Sequence, residues 1–195
     1  MRTLVFGGTF NPIHHGHLIC ARAAAEAAGF DRVLLIPSAN PPLRGQQQDL
    51  ISAAHRLTMC QLAVAGLPFF DVSDLELQRS EPSYTIDTAR MLRSQGHHNV
   101  FFLIGLDNVP QLPRWREPAA LMREVQFLVM RRPGTDLLWD DVPEPFRSLR
   151  QSMVTAPLID ISATDIRQRV KEGRPIDFLV PPAVANYIKE RGLYR

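Results

Sequence analysis

A short apolar run, Thr3-Leu4-Val5-Phe6, stops at two glycines. A His-rich turn, Gly7-Gly8-Thr9-Phe10-Asn11-Pro12-Ile13-His14-His15-Gly16-His17, then opens into the Ala-rich stretch from Leu18 to Ala28. The run reads as a buried first strand and the Ala-rich stretch as a helix. A strand, a Gly-rich turn and a helix N-terminus in immediate succession make a phosphate site. Paired glycines let the backbone approach an anion, and the unpaired N–H groups of the first helical turn point at it. His14 and His17 frame Gly16, and each imidazole can donate a hydrogen bond to a phosphoryl oxygen.

Other readings of this turn compete on chemistry. The dinucleotide fingerprint G-x-G-x-x-G and the phosphate loop G-x-x-x-x-G-K-(S/T) are both absent from the sequence. A zinc site is a rival, since three histidines fall within four residues. No H-E-x-x-H, Cys pair or carboxylate sits at ligand spacing beside them. A His-rich turn without function is the remaining alternative. The strand-turn-helix context favours the phosphate site over both, and no protein-bound metal is expected.

The rest of the chain alternates strands and helices. Arg32-Val33-Leu34-Leu35-Ile36 reads as a second strand ended by Pro37, and the Pro-, Asn- and Gln-rich stretch Ser38 to Gln48 as irregular. A helical period runs through Leu50, Ala53, Ala54, Leu57 and Gln61 to Val64. Phe69 to Val72 reads as a third strand, extended through Leu75 and Leu77. Thr85 to Gln95 reads as a helix, and Val100 to Ile104 and Val125 to Met130 as strands. Trp139 to Arg150, with Pro143 and Pro145, reads as a loose connection. This pattern predicts an α/β fold with a doubly wound parallel sheet, its ligands at the carboxyl ends of the strands. Gly7-Gly8, Gly105 and Arg131-Arg132 each follow the last apolar residue of a strand, so three strand ends deliver flexible or polar residues to one edge.

A second signal lies near the other end of the sequence. Ser162 suits an N-cap, and Asp165 suits the first turn of a helix running to Glu172, stopped by Gly173. Its free N–H groups, the Ser162 and Thr164 hydroxyls, and Arg167 one turn in would make a second anion cradle. Taken alone, an ordinary capped helix with a solvated Arg is the simpler reading.

Gly7 to His17 is similar to the (H/T)-x-G-H signature of the nucleotidylyltransferase superfamily. Ile161-Ser162-Ala163-Thr164-Asp165-Ile166-Arg167 is similar to its I-S-(S/T)-T-x-I-R element. Between them, Asn40-Pro41-Pro42, Pro82-Ser83-Tyr84-Thr85, Gly105-Leu106-Asp107, Trp115 and Arg131-Arg132-Pro133-Gly134 follow in an order that resembles the bacterial nicotinate mononucleotide adenylyltransferases along nearly the whole chain. The resemblance implies a single Rossmann-like domain over 1–195, with a helical portion from about 160 to 195 packed on it. It implies transfer of the adenylyl group of ATP to nicotinate mononucleotide in NAD biosynthesis, with Mg²⁺ accompanying ATP. His14, His17 and Arg167 would be catalytic. Gly7, Gly8, Thr9, Phe10, Gly16, Gly105, Asp107, Arg132, Ser162 and Thr164 would bind ATP. Asn40, Arg44, Ser83, Tyr84, Thr85, Trp115 and Arg116 would bind the acceptor.

The chain departs from the family pattern twice. Asn11 stands where Asp is commoner, an exchange expected to be minor because both residues cap turns. Leu43 stands where members often have His, which bears on the contact to the acceptor phosphate. Nicotinamide mononucleotide or phosphopantetheine as acceptor, and an ATP sensor without turnover, remain alternative readings.

Composition agrees with this reading. A chain of 195 residues can bury a substantial core, and a formal charge of +2 argues for neither nucleic-acid nor membrane binding. The opening apolar run is too short for a secretory signal, and no segment approaches membrane-spanning length. Cys20 and Cys60 read as isolated buried thiols. A cytoplasmic protein is expected, with homo-oligomer formation left open.

Overall fold

Apolar runs bounded by Gly, Pro and polar residues form the sheet of the computed structural model, which describes residues 1–41 and 49–195. The strands are β1 (Thr3–Gly8), β2 (Arg32–Pro37), β3 (Phe70–Val72), β4 (Val100–Gly105), β5 (Gln126–Met130) and the two-residue β6 (Met153–Val154). They are ordered β3-β2-β1-β4-β5-β6, and every neighbouring pair is parallel. The helices are α1 (His15–Ala27), α2 (Ala53–Val64), α3 (Thr85–Ser94), α4 (Pro118–Glu124), α5 (Ala163–Lys171) and α6 (Pro182–Glu190).

Period-two alternation sends the side chains of the buried strands to two separate cores. Leu4 and Phe6 of β1 with Val33 and Leu35 of β2 face a cluster completed by α1, α2, α6 and Ile166 of α5. Val5, Leu34, Ile36, Phe102 and Ile104 face the other cluster, completed by α3, α4 and the connections beside them. The result is the expected doubly wound α/β sandwich. Ile176, Val180, Val184, Ile188, Leu193 and Tyr194 pack in the same cluster as β1. Among the described residues, no helix is long and apolar enough to cross a membrane. Cys20 and Cys60 are buried free thiols.

Three features differ from the sequence reading, and a fourth lies where it assigned no element. Leu75 and Leu77 do not extend a strand; the Leu77 N–H donates to the Asp74 carbonyl at 2.7 Å in a turn. The buried stripe of α2 is Arg56, Met59, Cys60, Ala63 and Val64, while Ala54 is exposed. Residues 139–152 are not a loose connection. Two 3₁₀ segments, Trp139–Asp141 and Phe146–Ser152, bury Phe146 and Leu149 along with Val142 between them. The 3₁₀ segment Leu106–Arg114 carries Pro110 and Pro113, which cannot donate to a backbone ladder and hide its regularity from periodicity.

Candidate active site

β1 and β4 are hydrogen-bond neighbours only at their amino ends. Their register pairs Thr3 with Val100, Leu4 with Phe101 and Val5 with Phe102, and stops there although the strands run on to Gly8 and Gly105. Chain connections leave β1 and β4 toward opposite edges of the sheet, so the order reverses here and a crevice opens between the strand ends. A cleft of about 280 Å³ occupies it, lined by Gly7, Gly8, Thr9, Asp107, Arg132, Ser83, Tyr84, Thr85, Trp115 and Arg116 among others. On the β4 side, Asp107 and Arg132 form an ion pair of 3.6 Å across Gly105. A Cβ on Gly105 would meet Asp107 Oδ1 and come within 2.7 Å of Arg132 Nε, so a side chain there would push the pair aside.

The two histidines are built into the start of α1. His14 is the N-cap: its Nδ1 accepts from the His17 N–H at 3.3 Å, and His17 Nδ1 accepts from the His14 N–H at 3.3 Å. This is a capping box made of two imidazoles. An Nδ1 that accepts carries no proton, so each neutral ring keeps its N–H at Nε2. The rings stack with centroids 3.6 Å apart and 22° between planes. His17 also packs edge-to-face with the Phe10 ring at 5.1 Å and tilted against the Phe6 ring at 6.0 Å between centroids. A Cβ on Gly16 would come within 3.1 Å of the His14 ring, so a side chain there would crowd the cap. Burial, then the nearby Arg132 and His15, lower the His14 pKa to about 4. At neutral pH His14 is therefore an uncharged donor. The backbone N–H of His15 donates to the Leu179 carbonyl at 2.9 Å. Phe10 is 2 % exposed and packs in the core, so any contribution to ATP must come from its backbone.

α5 is capped as expected. Ser162 Oγ accepts from the Asp165 N–H at 3.0 Å, and Gly173 follows the helix at φ +65°. Arg167 is not solvated. It is 7 % exposed, donates from Nη1 to the Asn11 carbonyl at 2.9 Å and from Nη2 to Thr164 Oγ1 at 3.4 Å. Its buried Nε has no hydrogen-bond partner among the described residues. Arg167 thus joins α5 to the turn after β1, while His14, His17, Ser162, Thr164 and Arg167 lie outside the lining of the cleft.

The wall expected for the acceptor is well braced. Tyr84, the N-cap of α3, makes no side-chain cap, leaving the first N–H groups of the helix for another partner. Arg90 of α3 bonds Glu117 at 2.9 Å and Glu124 at 2.8 Å, fixing the turn that carries Trp115 and Arg116. Arg116 lies 5.0 Å over the Tyr84 ring. Trp115 is half-buried against the second core, and its buried Nε1 lacks a partner among the described residues. Asn40 holds the neighbouring loop together. Its N–H donates to Ser83 Oγ at 3.2 Å, its Nδ2 to the Ser80 carbonyl at 3.0 Å, and its carbonyl accepts from the Ser83 N–H at 2.9 Å. Arg44 and Leu43 lie outside the described residues.

Sequence reading missed two buried charged groups. Arg56, 1 % exposed, donates to the carbonyls of Thr9 at 2.7 Å, Ala39 at 3.1 Å and Ile51 at 3.2 Å, tying together the loops after β1 and β2. Its spacing from Met59, Cys60 and Ala63 marks it as a core-face cation. Glu76, 7 % exposed, lines the cleft and accepts from Thr88 Oγ1 at 2.6 Å. No local pattern announces it. Among the described residues no three His, Cys, Asp or Glu side chains converge as a metal cage.

The reversal of strand order and the crevice it opens are those of a doubly wound α/β protein that takes its ligands at the strand ends. The chain belongs to the cytidylyltransferase-like family, whose model matches residues 5–169. It is 42 % identical over 193 residues to a probable nicotinate-nucleotide adenylyltransferase of Roseiflexus sp. (strain RS-1), covering 98 % of this chain and 96 % of the relative. A protein of the same name from Dehalococcoides mccartyi (strain ATCC BAA-2266 / KCTC 15142 / 195) is 38 % identical over 203 residues, covering 100 % of this chain and 97 % of the relative. Among solved structures, the Plasmodium falciparum nicotinic acid mononucleotide adenylyltransferase complexed with NaAD superposes with a TM-score of 0.75 at 19 % identity. That match covers 100 % of this chain and 98 % of the other.

The His14 cap makes stability depend on pH. The folded pKa of about 4 lies below the unfolded 6.5, so the unfolded chain binds more protons between these values. The contribution is complete above pH 6.5 and is lost as pH falls toward 4, amounting to about 3 kcal/mol. His14→Asn, which retains an N-cap acceptor but cannot titrate, should lose clearly less over the same interval. Urea unfolding of both proteins at pH 7.5 and 4.5 checks this; parallel losses would contradict it.

Proposed function

We propose that the protein transfers the adenylyl group of ATP to nicotinate mononucleotide, giving nicotinate adenine dinucleotide and pyrophosphate. One observation carries this reading. Two stacked imidazoles with fixed Nε2–H donors stand at the helix start that follows the Gly7-Gly8-Thr9 turn, and that turn lines a cleft walled by Trp115 and the uncapped start of α3. The first half suits a polyphosphate and the second a planar ring bearing a carboxylate. Relatives along the full chain carry the matching name.

An oxygen of the mononucleotide phosphate attacks the α-phosphorus of ATP in line. The new P–O bond forms as the bond to the bridging oxygen breaks, and the electron pair leaves with pyrophosphate. No covalent enzyme intermediate is needed, so positioning and charge stabilisation carry the rate. His14 and His17 would donate to oxygens at the α-phosphorus, where charge shifts in the transition state. Arg167, Ser162 and Thr164 would meet the leaving pyrophosphate, the buried Arg167 Nε offering an unused N–H. Gly7, Gly8, Thr9 and Gly16 let ATP approach the backbone, while Gly105, Asp107 and Arg132 would hold adenosine. Mg²⁺ bound by phosphates and water would neutralise charge on the triphosphate, a role that needs no protein cage. We also assign the cytoplasm as the compartment in which the enzyme works.

On the acceptor side, backbone N–H groups near Thr85 and Arg116 would receive the carboxylate and Trp115 the pyridine ring, with Ser83, Tyr84 and Asn40 shaping the wall. A loop cation such as Arg44 suits the acceptor phosphate.

Two experiments test the reading. Removing a preorganised donor should cut turnover by roughly 10²-fold or more in His17→Ala with the fold intact. His15→Ala should be mild; equal behaviour of the two, measured by pyrophosphate release, would refute the assigned geometry. For the acceptor, a carboxylate accepts at both oxygens whereas an amide presents an NH₂ to donors. Each buried donor left unpaired costs about 1–3 kcal/mol, so the acid should be preferred by about tenfold to more than a hundredfold in kcat/KM. Trp115→Ala should weaken acid and amide mononucleotides by a similar factor. Equal use of both by the wild type would reassign the acceptor.

A further inference from the structure

Asn11 follows Phe10 in the turn after β1 and is 2 % exposed. Its side chain uses both ends of the amide. Oδ1 accepts from the Tyr194 hydroxyl at 2.9 Å, and Nδ2 donates to the Asp49 carbonyl at 2.9 Å. Its main-chain carbonyl accepts from Arg167 Nη1 at 2.9 Å. Asp49 returns to α5, because its Oδ1 accepts from Lys171 Nζ at 2.8 Å. These bonds form a closed circuit from Tyr194 through Asn11 and Asp49 to two successive turns of α5, with Arg167 inside it.

We propose that Tyr194 is a positioning residue for the triphosphate half of the site, acting through Asn11 on Arg167. The hydroxyl fixes which way the Asn11 amide faces, and the amide fixes its own peptide, whose carbonyl aims the Arg167 guanidinium. Three further observations support this chain of contacts. Tyr194 is 7 % exposed, and burial pushes its hydroxyl pKa up, so it remains an O–H donor at working pH. Its backbone holds φ +63°, a conformation that side-chain-bearing residues rarely adopt and that the surrounding contacts must maintain. Arg167 keeps Nε unpartnered among the described residues while Nη1 and Nη2 are engaged, so the direction of its remaining donor depends on those two anchors. The circuit also gives Asn11 a role that Asp, expected to be equivalent at this position, would fill differently. A carboxylate would turn an oxygen toward the Asp49 carbonyl where the amide supplies a donor.

This inference rests on the adenylyl-transfer reading for the ligand it names, and its test separates the two. Binding of a non-hydrolysable ATP analogue is measured by calorimetry for wild type, Tyr194→Phe, Arg167→Lys and the double variant. KM and kcat are measured for ATP and for nicotinate mononucleotide alongside. Loss of the hydroxyl should weaken analogue binding about 5- to 20-fold in the wild-type background, and less than about twofold once Arg167 is Lys, because residues in one network are not additive. The KM for the mononucleotide should move less than about twofold. Val184→Ala loosens the same core without touching the hydrogen bond and should leave the analogue affinity near wild type. Equal losses from Tyr194→Phe in both arginine backgrounds would overturn the proposal, as would the same loss in Val184→Ala or an equal effect on both substrates. If Tyr194→Phe does not fold, Asn11→Asp reads the circuit from its other side. It should show the same ATP-selective loss, and an unaltered ATP affinity would overturn the proposal. A wild type that binds the analogue but releases no pyrophosphate would instead refute the adenylyl-transfer reading and leave the positioning result standing.

Discussion

The reciprocal capping of α1 by His14 and His17 is the constraint on which the rest of the site depends. Helix starts leave N–H groups to be satisfied, and Ser, Thr, Asp or Asn usually satisfies them. Here the caps are the rings proposed to do the chemistry, so folding the first turn of α1 also sets the tautomer and spacing of both donors. That coupling explains several neighbours at once. Gly16 leaves room for the His14 ring, Phe10 packs edge-to-face and Phe6 tilted against His17, and β1, which leads into this turn, parts from β4 beyond Val5. Protonation of His14 would place a proton on the capping nitrogen, and burial opposes it in the same direction.

The second constraint is how the protein holds cations before any phosphate arrives. Arg56 and Arg167 are both buried, and both spend their hydrogen bonds on neutral oxygens: the carbonyls of Thr9, Ala39, Ile51 and Asn11, and the Thr164 hydroxyl. A buried guanidinium paired with a carboxylate would be neutralised locally; one held by carbonyls keeps its charge available to an anion. Arg132 is different, since it shares its charge with Asp107 over Gly105 at the exposed rim. In a chain with a formal charge of only +2, two buried guanidiniums thus stand behind the turn after β1.

What can be read from the sequence is local. The β1 run, the His-rich turn, the Ser162 cap and the Gly173 stop each sit within one strand or one helical turn, where propensity and capping act alone. The buried face of α2 escapes a polarity pattern because Arg56 occupies a core position that polarity assigns to solvent. The 3₁₀ segments are hidden by Pro110, Pro113 and the short runs around Phe146 and Leu149, which have no 3.6-residue period. The Asn11–Tyr194 bond spans 183 positions, and no pattern within either segment foretells it. Asn11 has the look of a turn residue and is instead a junction. Trp115, Ser83, Tyr84 and Thr85, named from family resemblance, do share one cleft, whereas Asn40 is engaged in holding the loop that carries Ser83.

Glu76 illustrates how such a cleft keeps its shape at the expense of stability. Burial raises the pKa of its carboxyl, against the lowering influence of the Thr88 and Ser83 hydroxyls and of Arg79 and Arg56. For an acid whose folded pKa exceeds the unfolded value, the stabilising contribution is present at low pH and is lost as pH rises through those values. As pH rises through those values, the buried carboxyl therefore works increasingly against the fold. What Glu76 provides is an acceptor for Thr88 in the first turn of α3, beneath the segment Ser83-Tyr84-Thr85 that walls the cleft. The same Thr88 hydroxyl lies 3.2 Å from the Tyr84 carbonyl, which also accepts the Thr88 backbone N–H at 3.1 Å. The carboxyl thus reaches the N-cap of α3 through one hydroxyl, and the N–H groups it holds in place are those left uncapped toward the cleft. Both halves of the site follow the same rule. A buried polar group one turn or one loop away braces each helix start, Glu76 through Thr88 at α3 and the Asn11 carbonyl through Arg167 at α5.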